Sequence, residues 1–137
     1  MIEHISDRVS IINGDCLDFV DSWPSDAALI TDPPYGMDYK SRHNTGRGIC
    51  PMVRKDGNFQ PIHGDAEPFD PSPFLRFRVI CLWGAQHYAS RLPDQRGWLV
   101  WDKLAGKTPC DQSDVEMAWT NAKGPARIYT HLWRGIM

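Results

Sequence analysis

The stretch Ala27-Ala28-Leu29-Ile30-Thr31-Asp32-Pro33-Pro34-Tyr35-Gly36 decides the fold. Its first five residues form an apolar run that reads as a buried strand. The next four end it. Proline cannot donate to a sheet ladder and fixes φ, so the chain leaves the strand stiffly. Each residue before a proline is pushed toward an extended conformation. The turn therefore carries a carboxylate, backbone carbonyls and an aromatic ring just past the carboxyl end of a strand. Open α/β sheets bind their ligands at that place.

Those groups suit the methylation of an exocyclic amine on a planar base. Such an amine is a poor nucleophile, because its lone pair is delocalised into the ring. Two acceptors can each take one N–H and favour a more tetrahedral nitrogen. The Asp32 carboxylate and the Pro33 carbonyl are candidates for those acceptors. A charge-assisted bond of this kind contributes roughly 1.5–3 kcal/mol. The Tyr35 ring could stack on the base for roughly 1–3 kcal/mol. A role limited to stacking would tolerate Phe or Trp at position 35. The competing reading is a proline-rich surface turn.

The tetrapeptide Asp32-Pro33-Pro34-Tyr35 resembles the catalytic motif of S-adenosyl-L-methionine-dependent amino-methyltransferases, in its DNA adenine-N6 form. The resemblance implies a catalytic role for Asp32, Pro33, Pro34 and Tyr35, with Asp32 also close to the cofactor. Upstream, Ile11-Ile12-Asn13-Gly14-Asp15-Cys16-Leu17 stands at the spacing seen in members whose catalytic half comes first. By resemblance, Asp15 contacts the cofactor's adenine amine and Cys16 its ring. The plainer alternative is that Asp15 caps a helix starting near Leu17, and both can hold.

Four further segments, taken in order, resemble phage and prophage methylases of this permuted class: Cys81-Leu82-Trp83-Gly84-Ala85-Gln86-His87-Tyr88-Ala89, Gly97-Trp98-Leu99-Val100-Trp101-Asp102-Lys103, Asp114-Val115-Glu116-Met117-Ala118-Trp119-Thr120-Asn121 and Ala126-Arg127-Ile128-Tyr129-Thr130-His131-Leu132-Trp133-Arg134-Gly135. The family continues with a DNA-recognition segment and a Gly-rich turn that cradles the cofactor's methionine part. Neither stands in these residues. The resemblance thus implies a single partial catalytic domain over 1–137, completed by a C-terminal half or an adjacent polypeptide. It also implies weak cofactor binding by these residues alone. In the family's sheet, two strands from that other half separate the strand before Asp15 from the strand before Asp32. The alternatives kept open are a truncated, inactive remnant retaining at most DNA or base binding, and an enzyme methylating cytosine N4 or RNA.

A chain of 137 residues is expected to form one domain. A net charge of −2 gives no global nucleic-acid signature. Charge is uneven, however. Lys40, Arg42, Arg47, Arg54 and Lys55 fall in a stretch without acids, inside a loop of about 37–60 that is expected to be flexible. Beside a base-binding turn they become candidate phosphate contacts to double-stranded DNA. The bland alternative is a solvated loop. Cys16, Cys50, Cys81 and Cys110 form no CxxC, which argues against a metal site and for free thiols in a reducing cytoplasm. No apolar run approaches the ~20 residues that span a membrane.

The fold expected is α/β: a partial Rossmann-like methyltransferase sheet, mostly parallel, with a C-terminal antiparallel hairpin and flanking helices. Strands are expected at 9–13, 27–31, 79–83 and 98–101, all buried. Short helices are expected at 17–22, 73–76 and 86–92. Residues 115–120 and 127–132 alternate around Asn121-Ala122-Lys123-Gly124-Pro125 as in a hairpin, with a helix over 113–120 as the competing reading. Trp23, Trp83, Trp98 and Trp119 are expected in the core. Trp101 and Trp133 are candidates for lining a base pocket, and His87 and Tyr88 are expected to pack.

Overall fold

The apolar run before Asp32 finds its partner in a second apolar run across a parallel ladder. In the computed structural model, residues 2–6, 8–38, 62–108 and 113–133 are described. Strands β1 (Ile2–Ser6) and β2 (Val9–Ile12) pair with each other, antiparallel. Strands β3 (Ala28–Thr31), β4 (Val79–Trp83), β5 (Trp98–Asp102), β6 (Val115–Thr120) and β7 (Arg127–Thr130) form one mixed sheet in the order β3-β4-β6-β5-β7.

The pairings fix the directions. β3 runs parallel to β4, β6 runs antiparallel to both β4 and β5, and β5 runs parallel to β7. Four of the five strands therefore point the same way, and β6 alone is reversed. The carboxyl ends of β3, β4, β5 and β7 share one edge of the sheet, where Asp32, Gly84, Lys103 and His131 follow.

Register decides which side chains meet. Leu29 lies opposite Ile80, Thr31 opposite Leu82, Leu82 opposite Trp119, and Trp98 opposite Trp119. This face carries the core. Ile80, Leu82 and Trp119 are buried there with Val20, Phe74, Phe77 and Tyr88. Each such side chain contributes roughly 1.5–3 kcal/mol on burial. The other face holds Ile30, Cys81, Trp83, Leu99 and Trp101, and it is open at Ile30, which is 72 % exposed.

Several expectations need correction. There is no hairpin between 115–120 and 127–132, because β5 lies between β6 and β7. Asn121, expected in its turn, instead locks the entry to β4. Its Oδ1 accepts from the Ile80 N–H at 2.8 Å, and its Nδ2 donates to the Phe77 carbonyl at 3.2 Å. The competing helix over 113–120 is not formed either.

Flanking helices are likewise absent among the described residues, where five three-residue 3-10 turns stand instead. The segments are too short to nucleate an α-helix, whose first turn fixes several residues for one hydrogen bond. The expected helix at 86–92 breaks at Tyr88 (φ −133°). The Tyr88 ring is buried in the core and its hydroxyl donates to the Trp83 carbonyl at 2.6 Å. The strand expected at 9–13 is present as β2, but it is exposed and outside the main sheet. Trp83 is half-buried on the open face and not in the core.

Candidate active site

β3 delivers Asp32 to the carboxyl-end edge of the sheet, as its sequence demands. Among the described residues β3 is an edge strand, with β4 as its one neighbour in the sheet. Asp32 is exposed, Pro33 is buried, and Pro34 and Tyr35 are half-buried. The Tyr35 hydroxyl donates to Asp32 Oδ1 across the turn. Two prolines between them leave the backbone little freedom to break that contact.

Three residues hold the Tyr35 ring. Gly84 has φ +66°, and a Cβ built on it would lie 1.9 Å from Tyr35 Cε1. Only the missing side chain lets the ring rest on that backbone. His87 stacks on the ring at 4.8 Å between centroids, with planes 15° apart. Tyr88 lies tilted at 6.5 Å. His87 is thus a neighbour of the site as well as a packing residue. Burial, and then the hydrogen bond to Asp32, raise the Tyr35 phenol well above its ordinary range. The hydroxyl therefore stays protonated and remains a donor.

Asp65 supports the turn from below, and nothing in its sequence context marked it out. It is 4 % exposed, and its Oδ1 accepts from the Gly36 N–H at 2.9 Å and the Met37 N–H at 3.2 Å. Its own carbonyl accepts from the Asp38 N–H at 2.7 Å. A buried carboxylate with two backbone donors is a strong clamp. Asp65→Ala leaves both donors without that acceptor and should destabilise the fold by about 2–4 kcal/mol. Asp65→Asn should cost less. Faster amide exchange at Gly36 and Met37 is the local signature, and unchanged exchange in the alanine variant would refute the clamp.

An aromatic row stands at the same edge. The Trp101 ring meets Trp83 edge-on at 6.5 Å and Trp133 at 6.1 Å. The Trp101 Nε1–H donates to the His131 carbonyl at 2.9 Å, which fixes the indole. Lys103 is buried, pairs with Glu116 at 3.0 Å and lies 5.6 Å from the Trp133 ring centroid. Pairing is what makes a buried ammonium tolerable. A row of this kind offers planar surfaces to a planar ligand.

The cofactor residues expected from the motif are less assembled. Asp15 caps the 3-10 turn Cys16–Asp18, accepting from the Leu17 N–H at 2.9 Å through Oδ1. The plainer role thus holds, and Oδ2 is left for another donor. Cys16 is an exposed free thiol, raised by partial burial and by the neighbouring Asp15 charge. Both residues are exposed and stand at the start of the turn that follows β2. Among the described residues no Gly-rich turn stands by to hold the cofactor's methionine part. The basic residues Lys40, Arg42, Arg47, Arg54 and Lys55 lie outside the described residues.

An open groove of about 300 Å³ lies at the opposite edge of the sheet, lined by Trp98, Lys123, Pro125 and Arg127 among others. It is remote from the Asp32 turn in the sheet topology and plays no part in this site. Among the described residues no group of three or more His, Cys, Asp or Glu could hold a metal ion, and no helix is long and apolar enough to cross a membrane. No protein-family model, curated protein or solved structure matches the chain.

Proposed function

We propose that this chain is the catalytic region of an S-adenosylmethionine-dependent DNA amino-methyltransferase, acting on adenine N6. The observation that carries the reading is Asp-Pro-Pro-Tyr at the carboxyl end of a parallel strand, with the Asp32 carboxylate exposed and held by Tyr35. S-adenosylmethionine would supply the methyl group, with Asp15 and Cys16 at its adenine end. The residues of this chain do the rest. Asp32 accepts one N–H of the target amine and turns its lone pair outward. Bringing the base there requires it to leave the stack, at a cost of a few kcal/mol. The row Trp83–Trp101–Trp133 at the same edge gives an unstacked base aromatic surroundings.

The finer fold belongs to the same proposal. A Rossmann-like methyltransferase sheet would place two further strands between β2 and β3. Among the described residues β2 lies outside the five-stranded sheet, and β3 has no neighbour on one side, where Ile30 is exposed. Parallel sheets ordinarily have both faces covered. A further segment or an adjacent polypeptide that supplies strands there would complete both the sheet and the cofactor site.

The deciding experiment is transfer of labelled methyl from S-adenosylmethionine to DNA, scored separately on adenine and cytosine. Label in N6-methyladenine supports the reading. Label in N4-methylcytosine would move the target, and no label with the completing polypeptide present would overturn it. The basic loop adds a second expectation. Neutralising Arg42 and Arg47 together should reduce the slope of log affinity against log salt by about 2. An unchanged slope would make that loop a bystander.

A further inference from the structure

A carboxylate on an exposed turn has a freely rotating χ1 unless something holds it. Here the holder is three residues away in the same tetrapeptide. The Tyr35 ring rests on Gly84, which has no Cβ to push it off, and is stacked by His87. Its hydroxyl donates to Asp32 Oδ1, and among the described residues Oδ2 accepts no hydrogen bond.

We propose that Tyr35 is the positioning residue for Asp32: the ring, braced by Gly84 and His87, brings its hydroxyl to Oδ1 and leaves Oδ2 aimed to take an N–H of the target amine. This rests on the methyltransferase reading and deepens it. It assigns the hydroxyl a task that ring stacking alone does not need. One face of the ring is already taken by His87, so stacking on a base is confined to what remains. Burial, and then Asp32, oppose ionisation of the phenol, so it keeps its proton for the hydrogen bond. Fixing the carboxylate before the amine arrives removes a reorganisation that would otherwise fall within the reaction.

Two measurements test it together. In the first, ring-labelled tyrosine is followed by NMR against pH, and the Tyr35 signal is assigned by its loss in Tyr35→Phe. Asp32→Ala should let Tyr35 ionise at lower pH than in the wild type. In the second, methyl transfer by the wild-type protein is compared with Tyr35→Phe, which keeps the ring. The phenylalanine variant should lose roughly 10–100-fold in kcat. Its KM for DNA should stay within about twofold, because the lost contact acts on the carboxylate and not on substrate affinity. An unmoved phenol titration overturns the proposal. So does a normal kcat in Tyr35→Phe when the wild type is active, and that result leaves the methyltransferase reading intact. A wild type that methylates no DNA amine with the completing polypeptide present overturns that reading, and this one with it.

Discussion

On the proposed reading, Asp32→Ala in the completed enzyme should abolish methyl transfer, lowering kcat by about 100-fold or more. The carboxylate is exposed at the strand end and is held in place by Tyr35, so its loss removes a fixed acceptor rather than a structural support. An acceptor that engages as the amine nitrogen rehybridises works mainly in the transition state. Its removal should lower kcat and kcat/KM together and leave KM for DNA little changed. Asp32→Asn keeps an acceptor oxygen but loses the charge, so it should fall between the wild type and alanine. Because Asp32 is not buried, thermal unfolding should barely move. Near-normal turnover in Asp32→Ala would remove the mechanism, whatever the variant did to DNA affinity.

The turn at the end of β3 was more legible in the sequence than the strand order was. A strand ending in Asp-Pro-Pro-Tyr can be read locally, since proline geometry acts on adjacent residues. The strands at β3, β4 and β5 follow from continuous apolar runs, and their ends fall within a residue of expectation. What local reading could not see was strand order. Residues 115–120 and 127–130 alternate and are joined by turn-forming residues, which is the pattern of a hairpin. Insertion of β5 between them depends on Leu99 finding Ala118 on one side and Arg127 on the other. No window of sequence contains that information.

The remaining misses have separate causes. Trp83 alternates with Ile80 and Leu82 along one strand, and pleating sends it to the opposite face, where Trp101 meets it. The pattern of β4 could have said so, because position 83 is odd-numbered with Val79 and Cys81. Asp65 carried no local signal, since its partners Gly36 and Met37 lie across a stretch of sequence that no periodicity links. β1 was missed because its two apolar residues, Ile2 and Ile5, stand three apart and do not alternate. The helices at 17–22 and 86–92 were expected from composition. The first is split at Phe19 into two 3-10 turns and Tyr88 leaves helical geometry in the second, and the short lengths gave no cooperative reserve to resist.

Gly36→Ala should be among the most destabilising single changes in the chain, and Gly106→Ala supplies its control. Both glycines have φ +78°. An alanine pays a penalty of about 1 kcal/mol for that conformation wherever it sits. Their surroundings differ. A Cβ on Gly106 meets nothing within 4 Å. A Cβ on Gly36 would lie 2.5 Å from the Glu67 carbonyl oxygen and 2.5 Å from Pro68 Cα. Those are backbone atoms and cannot swing aside as a side-chain tip can. Relief would require moving the 67–68 segment or tearing Gly36 from Asp65, which holds its N–H. Overpacking of this kind costs about 1–3 kcal/mol beyond the conformational term. Denaturant unfolding should therefore place Gly36→Ala about 2–4 kcal/mol below the wild type and Gly106→Ala about 1 kcal/mol below it. The difference between the two variants isolates the contact from the backbone penalty. Equal losses would mean that the turn after Tyr35 has room to give, and that the stiffness attributed to it here is absent.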